Sequence, residues 1–140
     1  MSKKTGIVIA ILCVIAIGLS AAALAVALRP AEQGKTDTQY VMYLGTNDKD
    51  TNQPVFPPEE AKEQAKQILI RHFGGYTIQE AGGGWLDGDT LYQEYTLVIY
   101  LSDTTPEQVH AAADELIATF RQSSVLIQAN QTVTEFYSGK

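Results

Sequence analysis

From Gly6 to Leu28 the chain runs for 23 residues without a charged side chain. A helix of that length, rising 1.5 Å per residue, covers a hydrocarbon core of about 30 Å. The segment is therefore expected as one transmembrane helix, with residues 1–5 forming a short cytoplasmic N-terminus. Lys3 and Lys4 precede it, whereas the bases that follow, Arg29 and Lys35, are accompanied by Glu32 and Asp37. The positive flank is N-terminal, which places the remainder outside the cytoplasm as the bulk of a single-pass cell-membrane protein. The rival reading is secretion after signal cleavage, since Ala25-Val26-Ala27 offers small residues at a cleavage spacing. The apolar run exceeds the about 7 to 15 residues of a signal's hydrophobic region, which favours an uncleaved anchor. Both readings put the same domain on the same side.

Residues 29–38, polar and interrupted by Pro30 and Gly34, read as a linker, and residues 39–140 as one extracytoplasmic domain of roughly 100 residues. After residue 28 the chain carries eight bases against sixteen acids, a net of −8. A nucleic-acid partner is excluded on that balance, because phosphate binding needs a basic footprint. Cys13, the single cysteine, lies in the apolar run. No disulfide and no cysteine-based metal cluster is expected in the domain.

The β-rich run Tyr40–Leu44 closes on Gly45, and Thr46–Pro58 is loop chemistry, rich in Asn, Asp, Thr and Pro. Ala61, Ala65, Ile68, Leu69 and Phe73 recur at helical spacing over Glu59–Phe73, and Gly74-Gly75 is the expected stop. Tyr76–Ala81 and Leu91–Leu101 predict two strands of a hairpin, joined by a long connection through Gly82-Gly83-Gly84 and Asp87-Gly88-Asp89. Thr105-Pro106-Glu107-Gln108 spells a helix start, with Val109, Ala112, Ala113, Leu116, Ile117 and Phe120 as its buried stripe. Ser124–Ala129 predicts a fourth strand, and Thr132–Tyr137 a short edge piece after a break at Asn130-Gln131. The order β-α-β-β-α-β specifies an α+β, ferredoxin-like sandwich: an antiparallel sheet with two helices on one face.

In Tyr43-Leu44-Gly45, Phe73-Gly74-Gly75-Tyr76-Thr77, Glu80-Ala81-Gly82-Gly83-Gly84-Trp85, Glu94 and Ser124-Val125-Leu126 the chain resembles a family of small exported bacterial domains of unknown function. The loop after Gly45 is longer than that pattern, and Gln93 stands where it has a basic residue before the acid. What the resemblance implies is the fold and export, with no established activity.

Strand three reads Leu97-Val98-Ile99-Tyr100-Leu101, apolar on both faces, and Val41-Met42-Tyr43-Leu44 behaves likewise. Two helices cover one face, so the other is expected to present a contiguous apolar and tyrosine surface. A homodimer through that sheet face is the simplest cover, with a ligand, a partner or the chain's own tail as the others. Seven tyrosines and Trp85 are all outside the apolar run. Trp85 beside flexible glycines, together with Glu94, Tyr43 and Tyr100, forms the candidate ligand-binding set; ordinary strand packing is the competing use of the aromatics.

Glu80 and Glu94, on adjacent strands, are the candidate acid and base of an enzyme acting on an extracytoplasmic small molecule. His72 and His110 fall on different helices and lack a third zinc ligand. Asp48, Asp50, Asn52 and Glu59 match calcium-loop spacing, but Gln53 replaces the needed glycine and three prolines interrupt. The triple glycine leads into a turn rather than a helix, so it offers no phosphate cradle. With no Walker, dinucleotide-binding, GxSxG or HExxH pattern, no cofactor and no metal is expected. The leading expectation is a membrane-anchored binding or interaction module using the open sheet face and the Trp85 hairpin. An enzyme with Glu94 and Glu80, or a structural component of an envelope complex, are the alternatives.

Overall fold

The computed structural model describes residues 34–139. The expected cytoplasmic residues 1–5, the transmembrane segment 6–28 and the first half of the linker lie outside the described residues. Among the described residues no helix is long and apolar enough to cross a membrane.

The chain alternates β1 (Lys35–Gly45), α1 (Pro58–His72), β2 (Thr77–Asp87), β3 (Thr90–Leu101), α2 (Pro106–Thr119) and β4 (Leu126–Thr134). The strands form one sheet in the order β2-β3-β1-β4, antiparallel at every junction. This is the ferredoxin-like α+β arrangement that the element order predicts.

Period-two alternation decides which residues meet the helices. Met42 and Leu44 of β1 and Leu97, Ile99 and Leu101 of β3 point to one face and are buried with the alanine-rich stripes of both helices. α1 buries Ala61, Ala65, Ile68 and Leu69, spaced to keep one side of the helix inward, and α2 buries Val109, Ala112, Ala113 and Leu116. Small residues at four of those eight positions let the helices lie close over the sheet. Phe120 closes the core edge-on to Phe56, with ring centroids 5.5 Å apart.

Local chemistry fixes the helix ends. Thr105 Oγ1 accepts from the Gln108 amide at 3.3 Å while the Thr105 amide donates to Gln108 Oε1 at 3.1 Å, a complete capping box. α1 carries Glu59 and Glu60 in its first turn and Arg71 and His72 in its last, each sign complementing the helix dipole. It stops because Phe73 turns extended, at φ −129°, and drives its ring into the core. The following glycines mark the exit without supplying a left-handed cap, since neither has a positive φ.

Several expected boundaries shift. β1 starts at Lys35, inside the expected linker, because Lys35–Gln39 pairs with Asn130–Thr134 as a polar two-stranded ribbon. Asp37 ties that ribbon together, accepting from the Thr134 hydroxyl at 2.8 Å and the Asp103 amide at 2.9 Å. β4 runs unbroken through Asn130-Gln131. The triple glycine is not a connection but the middle of β2, paired through Glu94 to β3, and the hairpin turn is only Gly88-Asp89. Gly88 has φ +58°, the conformation that tight hairpin turns demand and that glycine adopts without steric cost.

The open face is also less apolar than expected. Val41 and Val98 are its apolar centre, yet they are only 5% and 7% exposed. The tyrosines beside them turn toward flanking amides: the Tyr43 hydroxyl donates to Gln128 Oε1 at 3.2 Å and the Tyr100 hydroxyl to Gln79 Oε1 at 3.1 Å. The face is a thin apolar strip between polar rails.

Candidate functional site

The β2–β3 hairpin extends past the end of β1. Gly45 is the last β1 residue in register with β3, opposite Thr96, while β2 and β3 continue pairing to Asp87 and Thr90. Beyond that point the hairpin is a two-stranded ribbon, and its outer side chains belong to the site.

Trp85 and Tyr92 are directly opposite each other, and their rings stack with centroids 4.6 Å apart and planes inclined 19°. Both point to the open face, yet Trp85 remains 51% exposed, so the pair presents an aromatic platform rather than a core plug. One step along the same face comes Glu94, half-buried and opposite Gly83. Its side chain lies over Gly45, where a methyl group would sit 2.5 Å from both carboxylate oxygens. Glu94 Oε2 accepts from the Asn47 amide at 3.2 Å, and among the described residues it has no ion-pair partner.

The third wall is the Thr46–Pro57 loop, which builds its own shape. The Thr46 hydroxyl donates to the Tyr95 carbonyl at 2.7 Å, and an isolated bridge joins Asn47 to Pro54. Asp48 Oδ1 accepts from the Asp50 and Thr51 amides at 2.9 and 3.0 Å. Those amides, with Arg121 near Oδ2 at 3.4 Å, hold the Asp48 carboxyl below its usual range despite some desolvation. The Gln122 amide donates to the Asn47 carbonyl, fastening the loop to the end of α2. Loop, platform and Glu94 enclose a cleft of about 530 Å³ lined also by Asp50, Asn52, Asp87 and Ser123. Asp48, Asp50, Asp87 and Glu94 line it together with Lys49, whose ammonium pairs with Asp50 at 2.7 Å.

All four expected binding residues share the open face, but they do not share a cleft. Trp85 and Glu94 come together as described. Tyr100, six residues further along β3, lies about 20 Å from Glu94 at 3.3 Å per residue. It borders a second cleft of about 430 Å³ with Phe73, Tyr76 and Phe136. Tyr43, on β1, lies directly opposite Val98, with Leu126 of β4 on its other side.

The expected Glu80–Glu94 acid and base pair is not formed. Glu94 opposes Gly83 and Glu80 opposes Leu97, an odd offset that puts the two carboxylates on opposite faces of the sheet. Glu80 is held on the helix side by Lys62 at 2.6 Å, which keeps its carboxyl below the normal range. Glu59 is in α1, paired with the same Lys62 at 3.0 Å, and Asp48 serves its own turn, so the calcium-loop residues are used separately. His72 meets Glu115 across the helices at 2.9 Å. Among the described residues no three His, Cys, Asp or Glu side chains converge.

Tyr92 is one of the seven tyrosines that with Trp85 are candidates for a stacking platform, but it stands outside the candidate binding set of Trp85, Glu94, Tyr43 and Tyr100. Its signal was the two-residue turn: once Gly88-Asp89 is the hairpin centre, position 92 must face position 85. The wall from Asn47 to Asn52 carried no such signal, since its approach to the hairpin depends on the long-range bond to Glu94.

No family model matches the chain, and no curated protein matches it. Among solved structures, a phage SAM lyase in its apo state superposes with a TM-score of 0.55 at 19% identity, over 79% of this chain and 99% of that one. The divalent ion tolerance protein CutA1 from Ehrlichia chaffeensis gives 0.47 at 13% identity, over 76% and 88%. The periplasmic divalent cation tolerance protein CutA from Archaeoglobus fulgidus gives 0.47 at 13%, over 73% and 88%. The likeness to the phage enzyme, at 19% identity, bears on the fold alone.

Proposed function

We propose that this chain is an extracytoplasmic binding module, anchored by its N-terminal helix, whose ligand site is the cleft between the Trp85–Tyr92 platform and the Thr46–Pro57 loop. The observation that carries the reading is a stacked, solvent-facing aromatic pair beside a half-buried carboxylate, Glu94, that has no cationic partner among the described residues. An aromatic platform binds a flat or cationic group through its π face. Glu94 and the neighbouring carboxylates accept hydrogen bonds and favour positive charge. The ligand class is therefore a small molecule with a planar or cationic portion and several donors. With Glu80 on the opposite face, acid and base chemistry by the Glu80–Glu94 pair has no support, which favours binding over turnover.

The test is calorimetric titration of the full chain in detergent with organic cations, nucleosides and S-adenosylmethionine, the last because the phage neighbour is named for it. One ligand is expected to bind at micromolar to millimolar Kd. Trp85→Ala and Glu94→Gln should each weaken it at least tenfold with the fold intact. Affinity unchanged in both variants, or no binding across the panel, would sink the proposal. Consumption of the ligand that stops in Glu94→Gln would replace it with the enzyme reading.

A further inference from the structure

Among the described residues the sheet has two unpaired edges, and the chain treats them differently. The β2 edge carries Glu80, three glycines and Asp87, with Lys62 bonded to Glu80 alongside it. Charge and glycine of this kind discourage a strand from pairing with a foreign one. The β4 edge, Leu126–Thr134, has nine residues with no charge, no proline and no glycine. It runs unbroken, pairs with β1 along its whole length, and stands last in the sheet. A long, uncharged, regular edge is a template for another strand.

We propose that β4 pairs with β4 of a second copy of this chain, antiparallel across a two-fold axis, joining two four-stranded sheets into one of eight strands. The sequence of β4 argues for a second copy rather than a foreign strand, because reversal about Asn130 sets the uncharged strand against itself with the apolar Ile127 and Val133 in register and no like charges opposed. Ile127 then meets Val133 on the helix side, while Gln128 meets Thr132 and Leu126 meets Thr134 on the open side. Leu126 and Val133 are 59% and 63% exposed in the single chain, and they lie near opposite ends of the strand on opposite faces. The pairing covers both, twice, by symmetry. The contact lies at the sheet edge, leaving the open face and its cleft accessible. A nine-residue ladder is smaller than a standard interface, so the dimer should dissociate on dilution.

The test uses the full chain in membranes, with Cys13→Ala throughout to remove the native thiol. Asn130→Cys places two sulfurs at the axis, where opposing Cα atoms about 4.5 to 5.5 Å apart fall within disulfide range. Oxidation should convert most of that variant to a covalent dimer, while Ala81→Cys on the β2 edge stays monomeric. In detergent, light scattering should give a mass of two chains at high concentration. Asn130→Lys, which sets like charges against each other, should give one chain with an unchanged circular dichroism spectrum. A monomeric wild type, a mass of three chains, a dimer indifferent to Asn130→Lys, or equal cross-linking from position 81 would each overturn the proposal.

Discussion

Replacing Gly45 by alanine tests the joint between the sheet and the cleft. The new methyl would lie 2.5 Å from both oxygens of Glu94 and 2.7 Å from its Cδ, closer than nonbonded atoms approach. The carboxylate must swing aside, releasing the half-buried Asn47 amide that it accepts at 3.2 Å. A hydrogen bond to a charged group contributes about 1.5 to 3 kcal/mol. Exchanging glycine for alanine within a strand returns roughly 0.5 to 1 kcal/mol. Gly45→Ala should therefore destabilise by about 1 to 2 kcal/mol. In a Glu94→Ala background the methyl enters vacated space and no bond remains to lose, so the same substitution should stabilise by roughly 0.5 to 1 kcal/mol. The coupling, about 1.5 to 3 kcal/mol, is what a double-mutant cycle measures. Urea unfolding followed by emission of Trp85, the only tryptophan, and in parallel by circular dichroism provides the four stabilities. Equal destabilisation by Gly45→Ala in both backgrounds would show that Glu94 is not held over Gly45.

Phe120→Ala removes a fully buried ring set edge-on to Phe56 and should cost about 3 to 5 kcal/mol, read as a lower urea midpoint; a loss under about 1 kcal/mol would contradict the packing described. Asp37, Asp48, Glu80, Glu107 and Glu115 all have carboxyls held below their ordinary values, chiefly by hydrogen bonds from amides, hydroxyls or cationic partners. A depressed folded value means stability present above the unfolded range near pH 4 and lost as pH falls through the folded values. The Tm should hold from neutrality to about pH 5 and fall steadily below about pH 4. A Tm flat down to about pH 3 would refute the attribution.

The helices and inner strands were legible because each rule pointed the same way. Val109, Ala112, Ala113 and Leu116 recur at helical period behind a capping box, and Leu97, Ile99 and Leu101 alternate inward. What escaped was structure stabilised from a distance. Lys35–Gln39 is polar and reads as linker, and becomes strand only because equally polar residues near position 132 lie across from it. Gly82–Gly84 reads as a loop because glycine disfavours strands, yet Gly83 is needed where Thr96 crowds the pleat. Misplacing those glycines lengthened the hairpin connection, hid the Trp85–Tyr92 pair and brought Glu80 and Glu94 falsely together. One error of register accounts for both misreadings of the site.

The pairing of β1 with β4 has a kinetic consequence. Lys35 finds Thr134 across 99 residues of chain, whereas β2 and β3 close over a two-residue turn. Local contacts form quickly and distant ones wait on loop closure, so the hairpin and helices can assemble while β1 is still unpaired on its β4 side. During synthesis the sheet stays incomplete until Leu126–Thr134 has been made. A chain interrupted before residue 126 keeps its aromatic platform but leaves the whole flank of β1 exposed as a sticky edge.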